Sequence, residues 1–187
     1  LDGNTNVTGW VGTNSIPILV PAGSDLSTIL SNAPNTGATY QLGAGTYTVT
    51  PSIANIQGGG SGQTKAINIF SKTNLTILGV PGRTIIDGQG TPETTNGLGE
   101  ILLLTNCQNF VIRDVTIKGK AITNIVITGT NDLPLYALLS VFNCRDGLIE
   151  RVNVLNSFDH GLWDAGANIN IGPHSTNITV RGGLFQN

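Results

Sequence analysis

The chain lacks methionine altogether, and it is poor in charge, aromatics and cysteine: charged residues make up 11% of its 187 residues, aromatics 5%, and cysteine occurs twice. So little charge argues against a solvated helical protein. It argues equally against disorder, which goes with high net charge and few β-branched residues. Nine Lys and Arg face eleven Asp and Glu, for a net charge of −2. There is thus no basic footprint for nucleic acid, and no such partner is expected. No apolar run approaches the length of a membrane span. Cys107 and Cys144 make neither a disulfide framework nor a metal motif, and no cofactor or metal is expected. The first residue is Leu1, so the expectation is a processed chain or part of something longer.

What fills the gap is Gly, Asn, Thr and Ile, and they recur in order. Asn74-Leu75-Thr76-Ile77, Asn109-Phe110-Val111-Ile112, Asp146-Gly147-Leu148-Ile149 and Asn177-Ile178-Thr179-Val180 line up at intervals of 35, 37 and 31 residues. Each begins with a turn former that tolerates left-handed backbone. Each then alternates apolar and variable positions, the period of a strand. A second apolar pair follows each of two of these segments: Val115 and Ile117, then Val152 and Val154. Upstream of each lies another strand, at 66–69, 101–104, 138–141 and 168–171. Downstream strands are expected at 124–128 and 160–163. The pattern predicts about three short strands per unit with no amphipathic helix. Stacked units of that kind give parallel sheets along a right-handed β-helix of about four coils. An antiparallel sandwich is the rival fold, but it leaves the recurrence in register unexplained. Residues 1–23 read as an N-terminal arm, and 24–187 as the helix proper.

The stretch Gly37–Val49, with Gly43-Ala44-Gly45-Thr46-Tyr47, resembles the opening strand of the pectate lyase-like superfamily of right-handed parallel β-helices. In that superfamily a short helix caps the first coil. Ser24-Asp25-Leu26-Ser27-Thr28-Ile29-Leu30 resembles such a cap, with Ser24 at the N-cap, Asp25 in the first turn, and Leu26, Ile29 and Leu30 on one face. The resemblance implies architecture more than activity, because the superfamily holds lyases, hydrolases, epimerases, phage tailspikes and adhesins.

In the stacked alignment, one outward column runs Leu78, Arg113, Glu150, Arg181 and its neighbour Gly79, Asp114, Arg151, Gly182. Opposite charges fall on successive coils, and Arg113–Glu150 and Asp114–Arg151 are expected as cross-coil neighbours in a surface ion-pair ladder. The functional alternative is a basic groove for an acidic glycan, in which Arg151 and Arg181 bind substrate. Lys72, Cys107, Cys144 and Ser175 share a column, which leaves the two cysteines as buried thiols or as a disulfide. Asn106 and Asn143 are placed to pair as amides at a turn.

Chemistry concentrates between Asn156 and Asp164. Asp159, His160 and Asp164 are the candidate catalytic groups, and Trp163 is a candidate sugar-stacking surface. Paired carboxylates suit glycoside hydrolysis, and a base beside a charge-neutralising partner suits lyase or epimerase chemistry. The stretch at Ile149–Val154 has a faint likeness to uronate epimerase modules. The acidic clusters of Ca²⁺-dependent pectate lyases are missing, as are the Asn-Thr-Asp and Gly-Asp-Asp motifs of polygalacturonases. Alternatively these residues only satisfy local backbone groups. His174, after Gly172-Pro173, reads as a turn residue. The expected function is contact with polysaccharide, with or without cleavage, outside the cell, at a cell surface or on a virion. The alternative is a non-catalytic segment of a tailspike or surface fibre. The chain stops at Leu184-Phe185-Gln186-Asn187, in mid-coil, so self-association or a stacking subunit is expected at that end.

Overall fold

The computed structural model describes residues 16–49, 52–53, 64–88, 100–119, 138–156, 169–172 and 174–186. The chain enters as strand β1 (Ile18–Val20), forms the short helix α1 (Leu26–Ser31), and continues as β2 (Thr39–Leu42), β3 (Gly45–Thr48) and β4 (Ser52–Ile53). Four triplets follow. They are β5 (Thr64–Phe70), β6 (Thr73–Leu78) and β7 (Thr84–Asp87); β8 (Glu100–Thr105), β9 (Gln108–Arg113) and β10 (Thr116–Lys118); β11 (Leu139–Phe142), β12 (Arg145–Glu150) and β13 (Asn153–Leu155); and β14 (Ile169–Ile171), β15 (Thr176–Arg181) and β16 (Phe185–Gln186).

Each triplet gives one strand to each of three sheets. The orders are β1-β2-β6-β9-β12-β15, β3-β7-β10-β13-β16 and β4-β5-β8-β11-β14. All pairings are parallel except the short β4–β5 pair. The chain is therefore all-β, in parallel sheets with one helical turn and a half. The registers match the recurrence in the sequence: Thr76, Val111, Leu148 and Thr179 are direct partners, and so are Ile67, Leu102, Leu139 and Ile169. The expected downstream strands at 124–128 and 160–163 lie outside the described residues. The third sheet is built instead from the upstream segments. Ile18–Val20, assigned to the arm, is the outermost strand of the six-stranded sheet.

Left-handed corners make this path possible. Ser71, Asn106, Asn143 and His174 have φ of 54°, 57°, 50° and 61°. Asn74, Asn109, Asp146 and Asn177 have 54°, 52°, 56° and 53°. Asn and Asp visit this region at lower cost than other non-glycine residues, because a short polar side chain bonds locally. Their side chains also bond between circuits. Asn109 Nδ2 donates to Asn74 Oδ1 at 2.6 Å, Asn177 Nδ2 to Asp146 Oδ1 at 2.7 Å, and Asn143 to Asn106.

Inward positions form one continuous core. Leu75, Ile77, Phe110, Ile112 and Ile149 come from the six-stranded sheet, Tyr47, Ile86, Ile117 and Val154 from the second, and Ile67, Leu102, Leu139 and Val141 from the third. Each fully buried Leu or Ile contributes roughly 1.5–3 kcal/mol. The near end of this core is covered by α1, whose Leu26 and Leu30 are buried. Its N-cap is Asp25 rather than the expected Ser24. The Asp25 carboxylate accepts from Thr28 N at 3.0 Å and from Thr28 Oγ1 at 2.7 Å. Ser24 instead donates its hydroxyl to Pro21 O at 2.7 Å, closing the preceding turn. An interior lysine secures the chain after the helix: Lys72 Nζ donates to Ala33 O at 2.5 Å and Asn35 Oδ1 at 3.0 Å.

One core position is set by its neighbour. Phe110 is fully buried, and its ring fills the space that a side chain at Gly147 would need. A Cβ on Gly147 would stand 2.3 Å from Phe110 Cζ and 2.9 Å from Ile178 Cδ1. Gly147→Val is expected to cost about 3 kcal/mol by overpacking. Urea denaturation should show that loss, and Phe110→Leu in the same chain should recover part of it. An undiminished midpoint for Gly147→Val would contradict this packing.

The cap makes a pH prediction. Asp25's carboxyl is held below its ordinary 3.8, first by the hydrogen bond from the Thr28 hydroxyl and then by the Thr28 amide. A carboxyl depressed on folding adds stability above its unfolded pKa and loses it as pH falls through the folded one. Thermal midpoints of Asp25→Asn should therefore fall less steeply than the parent's below pH 3.8.

Candidate functional site

The outward face of the six-stranded sheet carries the chain's densest described charge. Register brings Arg113, Glu150 and Arg181 into one column, because Glu150 pairs with Arg113 on β9 and with Arg181 on β15. These residues alternate with the buried Ile112, Ile149 and the inward Val180, so strand periodicity forces them outward. Asp114 and Arg151 follow at the next corner, both left-handed, with φ of 59° and 51°.

Glu150 is the hub. Its carboxylate accepts from Arg181 Nε at 2.7 Å and pairs with Arg181 Nη2 at 2.7 Å. Arg151 Nη1 lies 3.3 Å from its other oxygen. Arg113 Nε is only 2.5 Å from that same oxygen, but its N–H does not point at it, so this contact is charge attraction without a directed hydrogen bond. Arg151 turns its other edge to Asp114 in a bidentate pair at 2.7 and 2.8 Å. That pair raises the Arg151 pKa above its ordinary value, mainly through the hydrogen bonds with Asp114. A left-handed arginine costs about 1–2 kcal/mol of backbone strain. The bidentate pair holds it there.

Three guanidiniums thus share two carboxylates, a surplus of one positive charge. The Glu150 side chain is 11% exposed, while Arg151 and Arg181 are 53% and 50% exposed. The acids are sunk between the bases, and Arg151 and Arg181 stay half exposed. Asn177 and Thr179 stand exposed on the same strand as Arg181. Such a face can donate hydrogen bonds to a ligand along several circuits.

Of the residues singled out from sequence, Arg151 and Arg181 meet here, joined through Glu150. The expected pairs Arg113–Glu150 and Asp114–Arg151 are both present. Asp159, His160, Trp163 and Asp164 lie outside the described residues; in sequence they fall between β13 and β14. His174 occupies a left-handed corner, as expected. Cys107 and Cys144 are buried free thiols. Sequence reasoning placed Glu150 between Arg113 and Arg181 but missed that Arg151, which directly follows it, also reaches it. It also missed Arg145, whose Nη2 bonds Gln108 Oε1 at 2.5 Å across the same two strands. Among the described residues no group of three or more His, Cys, Asp or Glu could hold a metal ion.

No protein-family profile and no curated relative matches the chain. A solved structure from Parabacteroides merdae, described as a candidate glycosyl hydrolase, has 12% identity and a TM-score of 0.41, over 81% of this chain and 75% of that one. A likeness so remote leaves function to the chain's own residues.

Removing the hub charge should leave three guanidiniums repelling one another. Glu150→Gln is expected to destabilise by about 2 kcal/mol, less than a fully buried pair because its partners are half exposed. The loss should shrink as salt screens the arginines. Denaturation at low and high salt checks this, and a salt-independent loss would contradict it.

Proposed function

We propose that this chain is a right-handed parallel β-helix of the pectate lyase-like kind that contacts polysaccharide outside the cell, at a cell surface or on a virion. The cyclic passage through three parallel sheets supports the architecture, since strand–crossover–strand connections are right-handed in nearly all known cases. The observation that carries the function is the outward face around Glu150. It presents Arg113, Arg151 and Arg181 on three successive circuits, with Asn177 and Thr179 exposed beside Arg181, on a rigid sheet whose strands stack about 4.8 Å apart. A polysaccharide presents hydroxyls and ring oxygens at regular intervals, and a repeating donor surface fits a repeating acceptor. The single surplus positive charge suits neutral or weakly acidic chains.

In this reading Arg151 and Arg181 bind the sugar chain and Trp163 stacks on a ring. Asp159, His160 and Asp164 carry any cleavage or epimerisation, with one group taking a proton and another neutralising developing charge. No metal or cofactor is required.

One observation favours a second reading, a non-catalytic segment of a tailspike or fibre. Ile171, Val180, Leu184 and Phe185 are exposed on the last triplet, and Phe185 pairs with the buried Val154 in register. A second subunit stacked there would cover them.

The test is a panel of neutral and acidic polysaccharides, read for binding, for new reducing ends and for unsaturated uronates. Arg181→Ala and Arg151→Ala should each weaken binding roughly tenfold, the worth of about 1.4 kcal/mol. Asp159→Asn should abolish turnover and spare binding. Binding without turnover, together with self-association in light scattering, selects the second reading. No binding across the panel overturns the first.

A further inference from the structure

We propose that Cys107 and Cys144 are a disulfide site, joined between successive circuits when the chain folds in the presence of a disulfide oxidant. Register places them together. Gln108 and Arg145 are direct partners on β9 and β12, and Arg145 N donates to Cys107 O at 2.9 Å. The cysteines sit one residue before each strand begins, stacked at the parallel spacing of about 4.8 Å, within the roughly 4.4–6.8 Å Cα range of a disulfide. Cys144 Sγ already lies 3.2 Å from Cys107 N, over the backbone of its partner. Each thiol otherwise bonds only backbone carbonyls, Cys144 Sγ to Phe142 O at 3.2 Å and Cys107 Sγ to Thr105 O at 3.5 Å. Their column continues to Lys72 on one side and to Ser175, whose Oγ accepts from Cys144 N at 3.3 Å, on the other. The chain holds no other cysteine, so no competing partner exists within it.

Burial dictates when the bond can form. Both residues are 1% exposed, so a reagent reaches neither sulfur in the folded state. The neighbouring Cys107 thiol, followed by burial, pushes the Cys144 thiol well above the ordinary range, which keeps it from the reactive thiolate. Exchange therefore belongs to the folding chain, before β12 closes over β9. There, one cysteine thiolate attacks a glutathione disulfide, forms a mixed disulfide and releases one glutathione. The second cysteine thiolate attacks the protein sulfur of that mixed disulfide and releases another glutathione. Two protein thiols are oxidised and one glutathione disulfide is reduced to two thiols. The bond closes a loop of 37 residues and limits the unfolded chain. Once the circuits are stacked, the bond is as shielded as the thiols were.

The test refolds the full chain from denaturant with oxidised and reduced glutathione, and in parallel with excess reductant. Expected in the first arm is a chain lighter by two hydrogens, a proteolytic cross-link joining Cys107 to Cys144, an unchanged circular dichroism spectrum and a thermal midpoint raised by roughly 5–10 °C. Cys144→Ala should show no midpoint difference between the arms. The natively folded reduced protein should resist thiol reagents and react fully when unfolded. Two free thiols after oxidative refolding would overturn the proposal. So would a stable glutathione adduct, a disulfide-linked dimer, or a cross-linked chain that has lost its native spectrum.

Discussion

The structure depends on turning a corner at the same place in every circuit. A parallel sheet requires its next strand to start level with the last, so connecting residues must redirect the chain without drifting along the stack. Left-handed backbone does this in one residue. The columns Asn74–Asn109–Asp146–Asn177 and Ser71–Asn106–Asn143 supply it. These residues bear a conformational cost that a branched apolar residue would find far higher. Their side chains offset part of it by bonding to the equivalent residue one circuit away. Corner and ladder are the same residues, which couples local conformation to long-range register.

Fixed corners have two consequences for packing. Inward residues meet their own equivalents, so volume must balance along each column rather than across a globular core. Phe110 beneath Gly147 is that balance made visible: one circuit gives up its side chain so that another can fill the axis. The ends of the stack have no neighbour to balance them. At the near end, helix α1 covers the axis, and Lys72 ties the following turn down through carbonyl and amide oxygens. At the far end, Val180 and Phe185 occupy inward registers yet remain exposed.

The outward face obeys the same rule with charge in place of volume. Glu150 is reached by arginines from the circuit below, the circuit above and its own corner. A carboxylate set lower than its bases leaves Arg151 and Arg181 half exposed to a ligand. The network is therefore both a clasp between circuits and the basis of the proposed polysaccharide contact. In the interior, the same stacking brings Cys144 Sγ within 3.2 Å of Cys107 N.

The sequence by itself determined the columns. Asn or Asp followed by alternating apolar residues recurs often enough to fix which residues share a register. From that the pairs Arg113–Glu150 and Asp114–Arg151, the Asn106–Asn143 ladder and the shared cysteine column all follow. Local pattern suffices there because strand period and corner chemistry are local. It did not decide which of Ser24 and Asp25 caps the helix, since both can accept from the first-turn amides. Only the path of the preceding turn commits Ser24 to Pro21. Nor did it reveal that upstream segments complete the third sheet, that Arg151 reaches back to Glu150, or that Gly147 makes room for Phe110. Those outcomes depend on where long side chains go once circuits lie against each other, and that is decided only by tertiary contact. For Asp159, His160, Trp163 and Asp164 the sequence offers residue types suited to sugar chemistry. Whether they converge is a matter of three-dimensional distance, which one-dimensional spacing cannot set.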